Sequence, residues 1–208
     1  MRFYQTPFFL PLLYPSLVWR MPETEAKICL TFDDGPVPGP TEFVLDTLNA
    51  FRIKGTFFCI GDNVRKHPEI FARIVNEGHA VGNHTYNHLN GWKTPLSKYT
   101  VNTRMFEDLV REVVPHFKTS LFRPPYGRIT RSQLKELSYY SIIMWDVLSY
   151  DYDARVTPEA CLKNTLGAVR NGSIIVFHDS YKARPRLEFA LPRLIEHLLN
   201  KGFSFHTL

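Results

Sequence analysis

Asp33 and Asp34 stand side by side in Thr31-Phe32-Asp33-Asp34-Gly35-Pro36, just after the apolar run Lys27-Ile28-Cys29-Leu30. Two neighbouring carboxylates at a strand end repel one another unless a cation or a shared proton relieves them. Gly35 and Pro36 turn the chain, so both acids fall on a loop at a strand end, where α/β folds place chemistry. Asp-Gly and Gly-Pro are also ordinary turn signals, so the pair alone is only suggestive. His84 and His88, in His84-Thr85-Tyr86-Asn87-His88, form a second group. Two histidines four apart on one helical turn present both imidazoles to one ion. Together with Asp34 they supply two nitrogens and one oxygen and leave positions open, as a catalytic divalent metal requires. A structural zinc site would be closed and four-coordinate, usually with cysteines, and none lies nearby.

Three more motifs follow. Arg123 opens Arg123-Pro124-Pro125-Tyr126-Gly127, a loop stiffened by two prolines, and its fork of donors suits a carboxylate partner. Asp146, Asp151 and Asp153 lie among aromatics between Trp145 and Asp153, and Ile174-Ile175-Val176-Phe177-His178-Asp179 delivers His178 to a strand tip. Each has a bland reading, as a surface arginine or a plain strand terminus. Five reactive strand ends in one chain exceed what coincidence supplies.

The elements that must position these groups are legible after residue 26, where apolar strands alternate with amphipathic helices. Strands are expected at 27–32, 55–60, 79–83, 119–123, 141–146, 173–178 and 203–207. Helices are expected at 41–51, 62–77, 97–114, 130–138, 158–170 and 186–200. Thr41 fits a helix N-cap, Gly78 and Gly202 fit C-terminal caps, and Thr157-Pro158-Glu159 sets a capping hydroxyl before proline. Such alternation predicts a mostly parallel sheet, closed or open. Reactive groups at the C-terminal end of strand after strand favour a barrel, and no G-x-G-x-x-G follows the first strand. No repeat or linker divides the chain, so one domain over residues 1–208 is expected.

Composition sets looser bounds. A chain of 208 residues is long enough for one full core, and its net charge of +5 is modest. No basic cluster interleaved with aromatics marks a nucleic-acid face. Cys29, Cys59 and Cys161 are odd in number and far apart, so buried structural thiols are expected rather than a disulfide framework. The first 19 residues are apolar and aromatic, but Pro7, Pro11 and Pro15 break any helix, and the stretch is too short to span a bilayer. Around Trp19-Arg20-Met21 there is no small-residue cleavage pattern. Residues 1–26 are therefore expected to pack on the barrel, with the compartment left open and no protein partner evident.

With these motifs in hand, the chain closely resembles the polysaccharide deacetylases of carbohydrate esterase family four, the NodB-homology domain. The matching motifs, in order, are TFDDGP, HTYNH, RPPYG, the DY of WDVLSYDY, and the VFH of IVFHD. The resemblance runs from residue 27 to about 207. It implies a distorted (β/α) barrel of about seven parallel strands and an N-acetylated sugar substrate, usually N-acetylglucosamine in chitin-like or peptidoglycan chains. It also implies that Asp34, His84 and His88 bind a divalent metal, most readily Zn²⁺, with Co²⁺, Ni²⁺ or Fe²⁺ also suited. Asp33 would be the general base oriented by Arg123, and His178 the general acid tuned by Asp151. Tyr126 would lend a backbone N–H to the oxyanion. Two positions depart from the family pattern: Tyr152 stands where tryptophan is usual and Val176 where leucine is usual. Both tend to line the acetyl pocket, which puts substrate preference rather than activity in question.

The implied reaction uses the metal to polarise the amide and its bound water, Asp33 to accept the water's proton, and His178 to protonate the departing amine. Arg123 would keep Asp33 ionised, and Asp151 would keep His178 protonated. Two rivals remain open. One is a metal amidase acting on a small molecule, against which an aromatic groove with Trp92, Tyr150 or Tyr152 would argue. The other is a non-catalytic sugar-binding domain, which would need no separate acid and base.

Overall fold

The structure, a computed structural model, describes residues 2–22 and 26–208; Met1 and residues 23–25 of the N-terminal segment lie outside the described residues. Its strands are β1 (Lys27–Asp33), β2 (Thr56–Cys59), β3 (Ala80–Asn83), β4 (Leu121–Phe122), β5 (Ser141–Ile142), β6 (Val147–Leu148), β7 (Ile174–His178) and β8 (Ser204–Phe205). Its helices are α1 (Phe9–Leu13), α2 (Pro40–Ala50), α3 (Gly61–Lys66), α4 (Pro68–Asn76), α5 (Leu96–Val113), α6 (Arg131–Glu136), α7 (Pro158–Ala168) and α8 (Arg184–Asn200). Seven strands run in the order β5-β4-β3-β2-β1-β7-β6, and β8 joins the start of β1. Each of these pairings is parallel. The sheet curls into the expected distorted barrel with helices around it.

The two ends of that sheet, β5 and β6, are consecutive in sequence, so the break in the barrel is a seam four residues long on one side. The N-terminal segment lies along it. Val18 donates its N–H to Ile142 and accepts from Met144, while Thr6 donates to Asp146 and Leu148 donates to Tyr4. These bonds occupy backbone groups that a sheet edge would otherwise leave unpaired.

Alternation along the strands separates two layers of core. Ile28, Leu30 and Phe32 of β1 face the helices with Phe57, Ile175 and Phe177, whereas Cys29 faces the barrel interior with Phe58, Ile143 and Ile174. Phe58 fills that interior so fully that a Cβ on Gly82, its neighbour on β3, would overlap the ring. The three cysteines are free and buried.

Five local expectations are corrected. The prolines of the N-terminal segment do not exclude a helix: the short turn α1 forms over Phe9–Leu13 with Pro11 in its first turn, where no N–H is needed. The helix expected over 62–77 is two helices, because Pro68 has no N–H to give the preceding turn and instead starts α4. The strand expected over 141–146 shrinks to Ser141–Ile142, because residues 143–146 cross the seam and the next strand, β6, begins only at Val147. Thr41 is not an N-cap: Pro40 begins α2 and Gly39 caps it, which frees the Thr41 hydroxyl for other partners. The segment from His84 to His88 is not a helical turn but an irregular loop. By contrast, Thr157 does cap α7, its hydroxyl accepting from Ala160, and Gly78 and Gly202 have the positive φ of helix C-terminal caps.

Candidate active site

The register of the sheet sets the site. Asp33 at the end of β1 is paired with His178 at the end of β7, so base and acid candidates stand on neighbouring strands at one level. On the other side, Asn83 of β3 is paired with Phe122 of β4, which brings the next residues, His84 and Arg123, to the same mouth. Backbone conformation is strained there. Asp34, Thr85, His88, Tyr126 and Tyr150 all have positive φ, a costly arrangement for side chains other than glycine that persists only where neighbours enforce it.

For the HTYNH loop the enforcement is visible. Asn83 Oδ1 accepts from Thr85 N–H, while Asn83 Nδ2 donates to Tyr140, whose hydroxyl bonds Glu107. Asn102 of α5 accepts from the N–H groups of both Tyr86 and Asn87. Those amides are therefore satisfied from outside, and no helical turn forms.

Asp34, His84 and His88 converge, with one ligand atom from each lying within 4.8 Å of the others. Nε2 of His88 is 3.2 Å, and Nε2 of His84 3.8 Å, from the same Asp34 oxygen. The other ring nitrogens are tied back: His84 Nδ1 donates to Arg123 C=O at 2.7 Å, and His88 Nδ1 lies 3.1 Å from the Tyr126 hydroxyl. Such outer partners fix ring orientation and leave Nε2 available to an ion. Burial pulls the His84 pKa down to about 4, so the ring is neutral, as a ligand must be. Burial would raise the Asp34 carboxyl, but the His88 hydrogen bond and the nearby imidazoles hold it well below the usual carboxylate range. The neutral His84 ring, the Nε2 of His88 and an ionised carboxylate together fit a divalent cation.

Arg123 is fully buried and spends its donors in four directions. Nη1 reaches Asp33 at 2.6 Å and Thr31 at 2.8 Å, Nη2 reaches Met144 C=O at 2.9 Å, and Nε reaches Ile143 C=O at 3.3 Å. Its plane lies over the Phe58 ring, 4.1 Å from the centroid. Asp33 is thereby held in one orientation. His178 is held by both oxygens of the buried Asp151, which accept from its Nδ1 at 2.8 Å and its backbone N–H at 2.7 Å. Burial lowers the imidazole's pKa, but the charge and hydrogen bond of Asp151, with Asp34 and Asp33 behind, push it up to about 9.

A model of the polysaccharide deacetylase family matches residues 20–144 of this chain. The chain belongs to that family. As a polysaccharide deacetylase it is a carbohydrate N-deacetylase by class. A peptidoglycan-N-acetylglucosamine deacetylase of Bacillus cereus is 36% identical over 190 residues, covering 90% of this chain and 68% of that protein. A chitooligosaccharide deacetylase of Bradyrhizobium sp. is 32% identical over 195 residues, covering 88% of this chain and 89% of that one. The crystal structure of a peptidoglycan N-acetylglucosamine deacetylase in complex with 4-naphthalen-1-yl-N-oxidanyl-benzamide superposes with a TM-score of 0.90 at 34% identity, covering 98% of this chain and 95% of that one.

In this deacetylase the two positions expected to differ from the family pattern, Tyr152 and Val176, lie close to His178. The Tyr152 ring meets the imidazole edge-on at 4.9 Å, and burial pushes its hydroxyl up to about 12, so it stays neutral. Val176 is buried on β7 two residues before His178, on the same face of the strand. Of the three acids after Trp145, only Asp151 reaches the site. Asp146 is bound by Arg170 and Ser173, and Asp153 by Arg2 and Arg155.

Two residues escaped the sequence reading. Arg186 of α8 donates to Asp151 C=O at 2.7 Å and fixes its loop. Asp179 is fully buried, accepting from Gly35 N–H at 3.0 Å and from the Thr41 hydroxyl at 2.6 Å, while its own N–H donates to Asp33 C=O at 3.1 Å. Its carboxyl occupies the space that any Cβ on Gly35 would need, and burial raises its pKa to about 8. Its position next to His178 was the available signal, but its partners come from the opposite end of the chain.

Proposed function

We propose that this protein is a divalent-metal-dependent hydrolase that removes N-acetyl groups from N-acetylglucosamine-containing glycans, chitin-like oligosaccharide or peptidoglycan. The observation that carries it is the joining of three elements at one mouth: the Asp34–His84–His88 cluster, the Asp33–Arg123 pair and the His178–Asp151 pair. A binding module has no use for a fixed carboxylate and a fixed imidazolium flanking a cation site. A divalent ion held by Asp34, His84 and His88, with Zn²⁺ the best match to two nitrogens and one oxygen, would polarise the amide carbonyl and lower the pKa of water at its open positions. Asp33, its orientation set by Arg123, accepts the proton of the attacking water. His178, kept protonated by Asp151, donates its proton to the departing amine nitrogen. Tyr126 at the rim offers its backbone N–H to the oxyanion.

A glycan is favoured over a small amide by a cavity of about 340 Å³ that opens beside Tyr126 and is also walled by Trp92, Trp145 and Tyr150. Ring faces of this kind suit the C–H faces of sugars. The named activities of the two curated relatives support the same class. The test is acetate release from chitooligosaccharides and from peptidoglycan, side by side, after chelation and after Zn²⁺ or Co²⁺ is restored. Full activity in demonstrably metal-free protein contradicts the assignment.

A further inference from the structure

Residues 3–19 carry no charged side chain, and α1, which lies among them, buries none of its residues. Phe8 is 81% exposed, Leu12 74% and Leu13 65%, with Phe9 beside them at 47%. Large apolar side chains are rarely left out so completely in a cluster on a soluble surface. The turn that presents them is anchored at both ends: Thr6 bonds Trp145 and Asp146, Leu17 is buried, and Val18 joins the seam.

Behind the tip the chemistry changes in order. Tyr14 and Trp19 come next, linked by the bond from Trp19 Nε1 to Tyr14 C=O at 3.1 Å. Guanidinium groups flank the base. Arg20 borders one cavity with Phe8 and Pro11, where Arg170 is paired with Asp146, and Arg128 lies over Trp92, which borders a second cavity with Leu10 and Tyr14. Acyl-seeking tip, amphipathic aromatics, then cations is the sequence of chemistries met on crossing from lipid tails to headgroups. The absence of acids from residues 3–19 and the net charge of +5 favour an anionic surface.

We propose that the α1 turn is a preformed wedge that seats this protein on an anionic phospholipid bilayer, with Phe8, Leu12 and Leu13 entering the acyl boundary. Among the described residues no helix is long and apolar enough to cross a membrane, so the wedge lies on the surface rather than spanning it. A second copy of this chain is a poorer occupant, because a stable dimer uses roughly 20–30 residues a side and the wedge is a single short turn. The second cavity, which also holds Tyr126, makes the wedge continuous with the active-site rim. Docking would therefore hold the mouth close to the headgroup plane.

The inference does not rest on the deacetylase reading, since its test measures binding without turnover. Purified protein is floated with vesicles of phosphatidylcholine alone and of phosphatidylcholine mixed with phosphatidylglycerol. Wild type should rise with the mixed vesicles, less with the neutral ones, and less at high salt. The double variant Phe8→Ser/Leu12→Ser should lose at least about tenfold in partitioning, since the two side chains lose burial in the acyl boundary. Its thermal unfolding should match wild type. Leu13→Gln gives a milder version of the same loss should the double variant fold poorly. Equal flotation of variant and wild type, or no flotation at all, overturns the proposal. Indifference to lipid charge and salt overturns the anionic assignment. A concentration-dependent dimer dissolved by the same substitutions would make this face a contact between copies, and that too overturns it.

Discussion

At the scale of single residues, the two adjacent aspartates should separate cleanly. Asp34 faces both imidazoles, whereas Asp33 faces Arg123, so the substitutions remove different things. Asp34→Asn should lose bound metal, because a neutral amide is a far weaker ligand. Asp33→Asn should keep the metal and lose roughly 10²–10⁴-fold in kcat, the usual scale of general-base catalysis. Metal content and acetate release measured on both variants check this, and a reversed pattern exchanges the roles. Asp151→Asn tests the acid. With Asp151 gone, burial dominates the environment of His178 and its pKa falls from about 9. The imidazole must be protonated to expel the amine, so the alkaline limb of kcat/KM should move to lower pH. The same linkage touches stability. The His178–Asp151 contribution is fully present below the unfolded histidine pKa near 6.5 and disappears as pH rises through about 9. Urea midpoints across that window should fall for wild type and stay flatter for Asp151→Asn.

At the scale of elements, what was legible in the chain was whatever is written locally. The apolar runs of β1 and β7 and the Thr157-Pro158 start of α7 are set by near neighbours, and their bounds differ from expectation by a residue or so. The same holds for the site residues at the strand ends. What was not legible depends on partners far along the chain. No local pattern shows that Asn102 claims the amides after His84, or that Asp179 waits for Gly35 and Thr41. Two substitutions weigh these kinds of information. Thr157→Ala removes one capping bond and should cost about 1 kcal/mol. Gly82→Ala drives a methyl into the Phe58 ring inside the barrel and should cost more, about 1–3 kcal/mol, because a packed interior relaxes poorly. Chemical denaturation of both variants gives the comparison, and equal costs would mean that the interior is looser than its packing suggests.

At the scale of the whole molecule, a metal joining the loops after β1 and β3 should stabilise the entire barrel. Free metal at a hundred times its Kd adds about 2.7 kcal/mol if only the native state binds it. The melting temperature should rise with added Zn²⁺ and return with chelator, and Asp34→Asn should show no such response. A melt of wild type that ignores the metal would remove Asp34, His84 and His88 from the list of ligands.

The seam has a consequence for how the molecule comes into being. Thr6 meets Trp145 across 139 residues, and Phe3 meets Tyr150 across 147. During synthesis the N-terminal strap leaves the ribosome well before the edges it covers, which lie 139 to 147 residues further along the chain. Loop closure over such spans is slow, and the unclosed edges are open to pairing with other chains meanwhile. Arg123 shares that late step, since two of its four acceptors are the carbonyls of Ile143 and Met144 in the seam. The carboxylate that it orients therefore gains its final setting only after the seam residues, made long after β1, have folded back against it.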